Sequence, residues 1–198
     1  YSSISGGGDN EAIGEAASVS GGSQGKATGT RASVTGGFQN QAAGECATVN
    51  GGSGNKAFGW GSIVIGGTGN IAGKVAVDVK GQPILDANGN EYPADKDSFF
   101  SRIGQDSVAI GGVLSSVQGN YSVGIAGGST SATAASALAA GHQATVTMAN
   151  GVAIGYESTA SVISSSRAAD KNGRIVSFGD RAGDVDYKVD HQNQTVAE

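Results

Sequence analysis

A period of fifteen residues constrains this chain more than any other feature. Cut at that length, the first sixty residues align as YSSISGGGDNEAIGE, AASVSGGSQGKATGT, RASVTGGFQNQAAGE and CATVNGGSGNKAFGW, and a fifth copy, GSIVIGGTGNIAG, follows from Gly61. An apolar residue recurs at Ile4, Val19, Val34, Val49 and Val64, a glycine pair at Gly6/Gly7, Gly21/Gly22, Gly36/Gly37, Gly51/Gly52 and Gly66/Gly67, and an alanine at Ala12, Ala27, Ala42, Ala57 and Ala72. Three position classes held in register over five copies mark a repeat architecture. Each copy has a short alternating run suited to a strand with one buried face. The glycine pair that follows permits a positive φ or a close backbone approach, as a tight corner requires. A second extended piece centres on the alanine, and Gly14, Gly29, Gly44 or Gly59 closes the unit. Two strands and two corners in fifteen residues describe one coil of a parallel β-solenoid.

The repeat resumes in another dialect after an interruption: SVAIGG from Ser107, SVGIAGG from Ser122, SALAAG from Ser136 and GVAIG from Gly151. Two residues per strand are now bulky, Val108 and Ile110, Val123 and Ile125, Leu138 and Ala140, Val152 and Ile154. The expected core therefore comprises Ile4, Val19, Val34, Val49 and Val64, then Val108, Ile110, Val123, Ile125, Leu138, Val152 and Ile154. In the first half, either one valine per strand is buried or the strand is rotated so that its serines meet a polar or intersubunit environment. Glycine supplies 35 of 198 residues and aromatics are few, so each coil buries little against an ordering cost of about 1–2 kcal/mol per residue. Such a thin solenoid is expected to complete its core by self-association.

Charge is concentrated outside the repeats. Residues 74–105 hold nine charged residues and residues 167–198 hold eleven, of 29 in all. The first segment also carries both prolines, Pro83 and Pro93, an alternating VAVDV run and a DANGN turn signal. It reads as an inserted β-hairpin or arm projecting from the stack. Candidate partner contacts on it are Lys80, Tyr92, Asp95 and Lys96, with Phe99 and Phe100 pinning it to the coils. On the coils themselves, the aromatics Phe38, Phe58 and Trp60 are surface contact candidates on a face otherwise made of small residues.

Several chemistries find no support. The net charge is −5 and no Lys/Arg stripe exists, so nucleic acid is not an expected partner. His142 and His191 stand in no motif, and Cys46 is the only cysteine. GGSQGK at 21–26 fails the phosphate-loop pattern, which needs a glycine at Ser20 and Ser or Thr at Ala27. Only Gly6-Gly7-Gly8-Asp9 approaches a calcium-binding GGxGxD repeat. No acid pair recurs at a spacing suited to proton transfer. No catalytic residue, metal site or cofactor is therefore expected, and the chain reads as a binding and assembly protein. A flat ice-binding face would need a uniform threonine row, whereas Ser5, Ser20, Thr35, Asn50 and Ile65 are mixed. Tyr1 opens inside a repeat and no run of about 18 apolar residues occurs, so the chain is expected to be part of something longer.

SVAIGG at 107–112, GVAIGYESTA at 151–160 and the ASVSGG and ASVTGG copies resemble the head repeats of trimeric autotransporter adhesins, the YadA-like family. RIVSFGDRAGD at 174–184 is similar to that family's neck. The resemblance implies an all-β, left-handed parallel β-roll in a homotrimer, exposed at a Gram-negative outer membrane. It implies attachment to host matrix, host cells or other bacteria, with membrane anchoring only through C-terminal parts not present here. The expected organisation is 1–73, head repeats of the SVSGG type; 74–105, the arm; 106–161, head repeats of the SVAIG type; and 162–198, a neck-like transition. The competing expectation is a structural spacer in a surface fibre that binds elsewhere.

Overall fold

Strands of two or three residues cannot stand alone, so in this chain each is stabilised by the equivalent strand one coil away. The computed structural model describes residues 1–80, 82–85, 87–91, 93 and 104–161, with the backbone of Ile175–Phe178, Val185–Asp190 and Gln194–Val196. All regular elements among these residues are β, and they form a parallel solenoid of about ten turns.

The first strand of every coil joins one sheet. Its ten parallel members run from Ser3–Ile4 through Ser18–Val19, Ser33–Val34, Thr48–Asn50 and Ile63–Ile65, then Val108–Ile110, Val123–Ile125, Leu138–Ala140, Val152–Ile154 and Ile175–Phe178. Val185–Asp190 and Gln194–Val196 extend that sheet antiparallel. The second strand of each coil, from Glu11–Ala12 to Thr159–Ala160, builds a nine-stranded sheet behind it. Register follows the repeat, with Val19 opposite Val34 and Ala27 opposite Ala42.

The corners are shaped by asparagine and glycine together. Asn40 donates its amide to Gly36 O at 2.7 Å and accepts the Asn55 N–H at 3.0 Å, and Asn55 likewise accepts the Asn70 N–H at 3.0 Å. Asn70 in turn accepts the Ser115 N–H at 2.9 Å. These buried amides satisfy corner N–H groups that face away from water. Glycine is required beside them: a Cβ on Gly37, whose φ is +84°, would lie 2.2 Å from Gly52 O and 2.6 Å from Asn40 Nδ2.

The core lies between the two sheets and is one side chain thick from each. Val19, Val34, Val49 and Val64 are buried against Ala27, Ala42, Ala57 and Ala72. The expected valine row of the first half is thus inward, and its serines point out. From coil six the sizes exchange. In coils six to eight the first sheet supplies Ala109, Gly124 and Ala139 and the second supplies Val117, Thr130 and Val146, whereas coil nine sets Ala153 with Ala160. A narrow interior packed near native density admits at most one bulky residue per layer, and in coils six to eight the side that carries it has switched.

That exchange corrects the expected core. Val108, Val123, Leu138 and Val152 are only half-buried, and Ile110, Ile125 and Ile154 are exposed in the single chain. They flank the small residue that points in, because successive strand side chains face opposite ways. Ile4 is also exposed, having no coil before it among the described residues.

The ladders pass unbroken across residues 74–103. Val64 pairs with Ala109 and Ala72 with Val117, an offset of 45 instead of 15, so 30 residues lie outside the register. The chain leaves at Gly73 and returns at Gly104. These two touch so closely that a Cβ on Gly104 would sit 2.3 Å from Gly73 Cα. Within the excursion, isolated antiparallel bridges link Val75 to Pro93, Val77 to Pro83 and Leu85 to Glu91.

Candidate functional site

Two surfaces stand out, one on the outward face of each sheet. On the first sheet, two outward rows flank the buried one. Over coils one to four they read Ser3, Ser18, Ser33, Thr48 and Ser5, Ser20, Thr35, Asn50. The side chains hydrogen-bond along the axis, Ser18 Oγ to Ser33 Oγ at 3.3 Å and Thr35 Oγ1 to Asn50 Oδ1. From coil five the same rows become Ile63, Val108, Val123, Leu138, Val152 and Ile65, Ile110, Ile125, Ala140, Ile154. One continuous face is therefore polar in its first four coils and apolar in the next five. Scattered apolar residues on a surface are ordinary, but a contiguous aliphatic stripe marks a contact site.

On the second sheet, Asn90 and Glu91 of the excursion meet the coils. Lys56 pairs with Glu91 at 2.6 Å, Gln41 Nε2 donates to Glu91 O at 3.3 Å, and Lys26 Nζ donates to Asn90 Oδ1 at 2.8 Å. These three solenoid residues are register partners in successive coils. Individually such half-exposed ion pairs are worth about 0.2–1 kcal/mol, but here three coils hold one stretch. Phe58 is buried to 1% exposure, although its position faces outward and its coil-one equivalent, Ile13, remains exposed. The expected surface role of Phe58 is therefore corrected: it is covered.

Beside that stretch an open groove of about 510 Å³ runs over coils one to four. Apart from Gly54, its lining residues carry polar or charged side chains. Asp9, Gln24 and Gln39 occupy one corner row, each in the left-handed region at φ 53°, 57° and 53°, where the fourth coil uses Gly54. Gln39 donates to Gln24 at 2.9 Å. Glu11, Lys26, Gln41 and Lys56 form the neighbouring row, with Glu11 and Lys26 paired at 3.2 Å.

The other sequence candidates are dispersed. Phe38 is exposed on the corner immediately before Gln39, Trp60 is half-buried, and Lys80 is exposed in the excursion. Tyr92, Asp95, Lys96, Phe99 and Phe100 lie outside the described residues. The groove residues went unrecognised in the sequence, although one signal was present. The second and third residues after each glycine pair, DN, QG, QN and GN, vary together in small polar types. Among the described residues, no three His, Cys, Asp or Glu side chains converge as a metal site, and no helix is long and apolar enough to cross a membrane. No protein-family model matches the chain, and no curated protein is similar to it.

Proposed function

We propose that the chain is the head of a bacterial surface adhesin of the trimeric autotransporter, YadA-like kind. Three copies associate through the aliphatic stripe of coils five to nine and present their remaining faces for attachment to host matrix, host cells or neighbouring bacteria. The roll is left-handed in this reading, the excursion at 74–105 is an inserted arm that decorates the trimer, and residues 162–198 lead toward a stalk. The head is exposed at a Gram-negative outer membrane and anchored by other parts of the protein.

The observation that carries the reading is the switch of the outward rows from Ser and Thr to Val, Ile and Leu. Its physical content is that the bulky residues of SVAIG leave the single chain's interior and need a second surface. Weak single contacts, multiplied over many copies on one cell, give firm attachment. The test is attachment of beads coated with the folded chain to collagen, fibronectin, laminin, mucin and epithelial cells. Retention above uncoated beads on at least one surface is expected; none on any would refute an adhesive role.

A structural spacer remains the second reading, favoured by the ladders that run through coils five and six without a break. Removing residues 74–103 separates the two. A spacer attaches to none of these surfaces with or without them, and an adhesin that uses the arm loses attachment when they are removed.

A further inference from the structure

We infer that the groove over coils one to four is a binding site for a short, uncharged, linear oligosaccharide. This takes the attachment reading one step further by naming a ligand class for one surface, and it rests on that reading only for its biological purpose.

Three features select the chemistry. The first is the lining. Gln24 and Gln39 share one hydrogen bond and keep further amide donors and acceptors, and Asp9 and Glu11 present acceptors, the complement of hydroxyl groups that donate and accept at once. The second is charge. Lys26 and Lys56 are the groove's cations, and each is paired, with Glu11 and Glu91 respectively. The lining sets two acids, Asp9 and Glu11, beside these two paired lysines, so no excess of positive charge awaits a sulfated or phosphorylated ligand. The third is the backbone. The groove lies on the face of the second sheet, whose N–H and C=O groups are spent on the inter-coil ladder, as in Lys26 N to Asn40 O and Gln41 N to Asn55 O, both 2.8 Å. An extended peptide seeking strand pairing finds no edge there.

Dimensions agree. Along the corner row, from Asp9 to Gly54, is three coil steps, roughly 14 Å at about 4.7–4.8 Å each, the reach of a tri- or tetrasaccharide. The polar rows repeat once per coil, so successive sugar units meet equivalent groups.

The experiment is calorimetric titration of the intact folded chain with maltotetraose, cellotetraose, chitotetraose and laminaritetraose, with their monosaccharides and a heparin tetrasaccharide alongside. At least one neutral tetrasaccharide should bind with a Kd below ~1 mM and at least tenfold tighter than its monosaccharide. Gln39→Ala and Gln24→Ala, both on the exposed corner row, should each weaken it several-fold. Gln143→Ala, on a corner of a later coil, should leave it unchanged. The inference is overturned if no neutral tetrasaccharide binds, if heparin alone binds, or if Gln39→Ala and Gln24→Ala bind as the parent does. Bead attachment by the same preparations keeps the two readings apart. Attachment that persists with a blank sugar panel overturns the groove alone, and sugar binding without attachment overturns the adhesive role alone.

Discussion

Replacing Ile110 by aspartate puts a carboxylate at the middle of the aliphatic stripe. Ile65, Ile110, Ile125 and Ile154 are between 36% and 42% exposed in the single chain. Full burial of such a side chain is worth roughly 1.5–3 kcal/mol, so covering the remaining two-fifths adds about 1 kcal/mol for each. Four isoleucines then contribute about 4 kcal/mol per copy, or about 12 kcal/mol for three copies on the same scale. Association itself costs an estimated 4–15 kcal/mol, so the margin is narrow. Loss of Ile110 alone removes about 3 kcal/mol from a trimer, a factor of more than a hundred in the association constant. Three buried, mutually repelling carboxylates add several kcal/mol each. In sedimentation velocity at micromolar concentration, the parent chain should run near three times 19.3 kDa and Ile110→Asp at 19.3 kDa. Far-UV circular dichroism confirms that the variant retains its sheets. Thr159→Asp places the same charge on the exposed outward face of the second sheet and should leave the mass unchanged. A parent that sediments as a stable monomer, or an Ile110→Asp variant that sediments as the parent does, refutes the reasoning.

Three further outcomes test the interior by urea denaturation. Asn55→Ala removes the acceptor of the buried Asn70 N–H and the donor to Gly51 O and Gly67 O; a loss of about 2–3 kcal/mol is expected. Among the described residues, Ser62 Oγ and Ser107 Oγ are buried without a hydrogen-bond partner, so Ser62→Ala should raise stability by about 1 kcal/mol, and a decrease would contradict the orphan assignment. Ala109→Val should cost about 1–3 kcal/mol by overpacking, and combining it with Val117→Ala should recover part of that cost by restoring the first-half arrangement. Strictly additive losses in the double variant would show that the two sites do not share a layer.

The coil itself was legible from three periodic positions, because a strand's alternation and a corner's glycine requirement both leave marks every fifteen residues. The valines at 19, 34, 49 and 64 point inward as the simplest reading of a half-buried strand requires. The same reasoning misassigned Val108 and Ile110, since it assumes that the bulkiest residues of a strand seek the nearest core. The size of that core is set by the opposite sheet, and the relevant mark sat eight residues later, where Ala72 gives way to Val117. Phe58 was misjudged because an outward strand position was read as an exposed one, whereas the side chain is 1% exposed. The pairing of Glu91 with Lys56 spans 35 residues, a separation at which no local pattern in the sequence specifies a partner.

The touching ends at Gly73 and Gly104 bear on how the chain folds. Nearly every strand contact joins residues one coil apart, which keeps contact order low and lets structure spread from neighbour to neighbour. The widest departure is the joint where Val64 must find Ala109 across 45 positions. Closing that longer loop makes it the slow step between two segments that each propagate quickly. Refolding should therefore show two stages, and joining Gly73 directly to Gly104 should merge them into one.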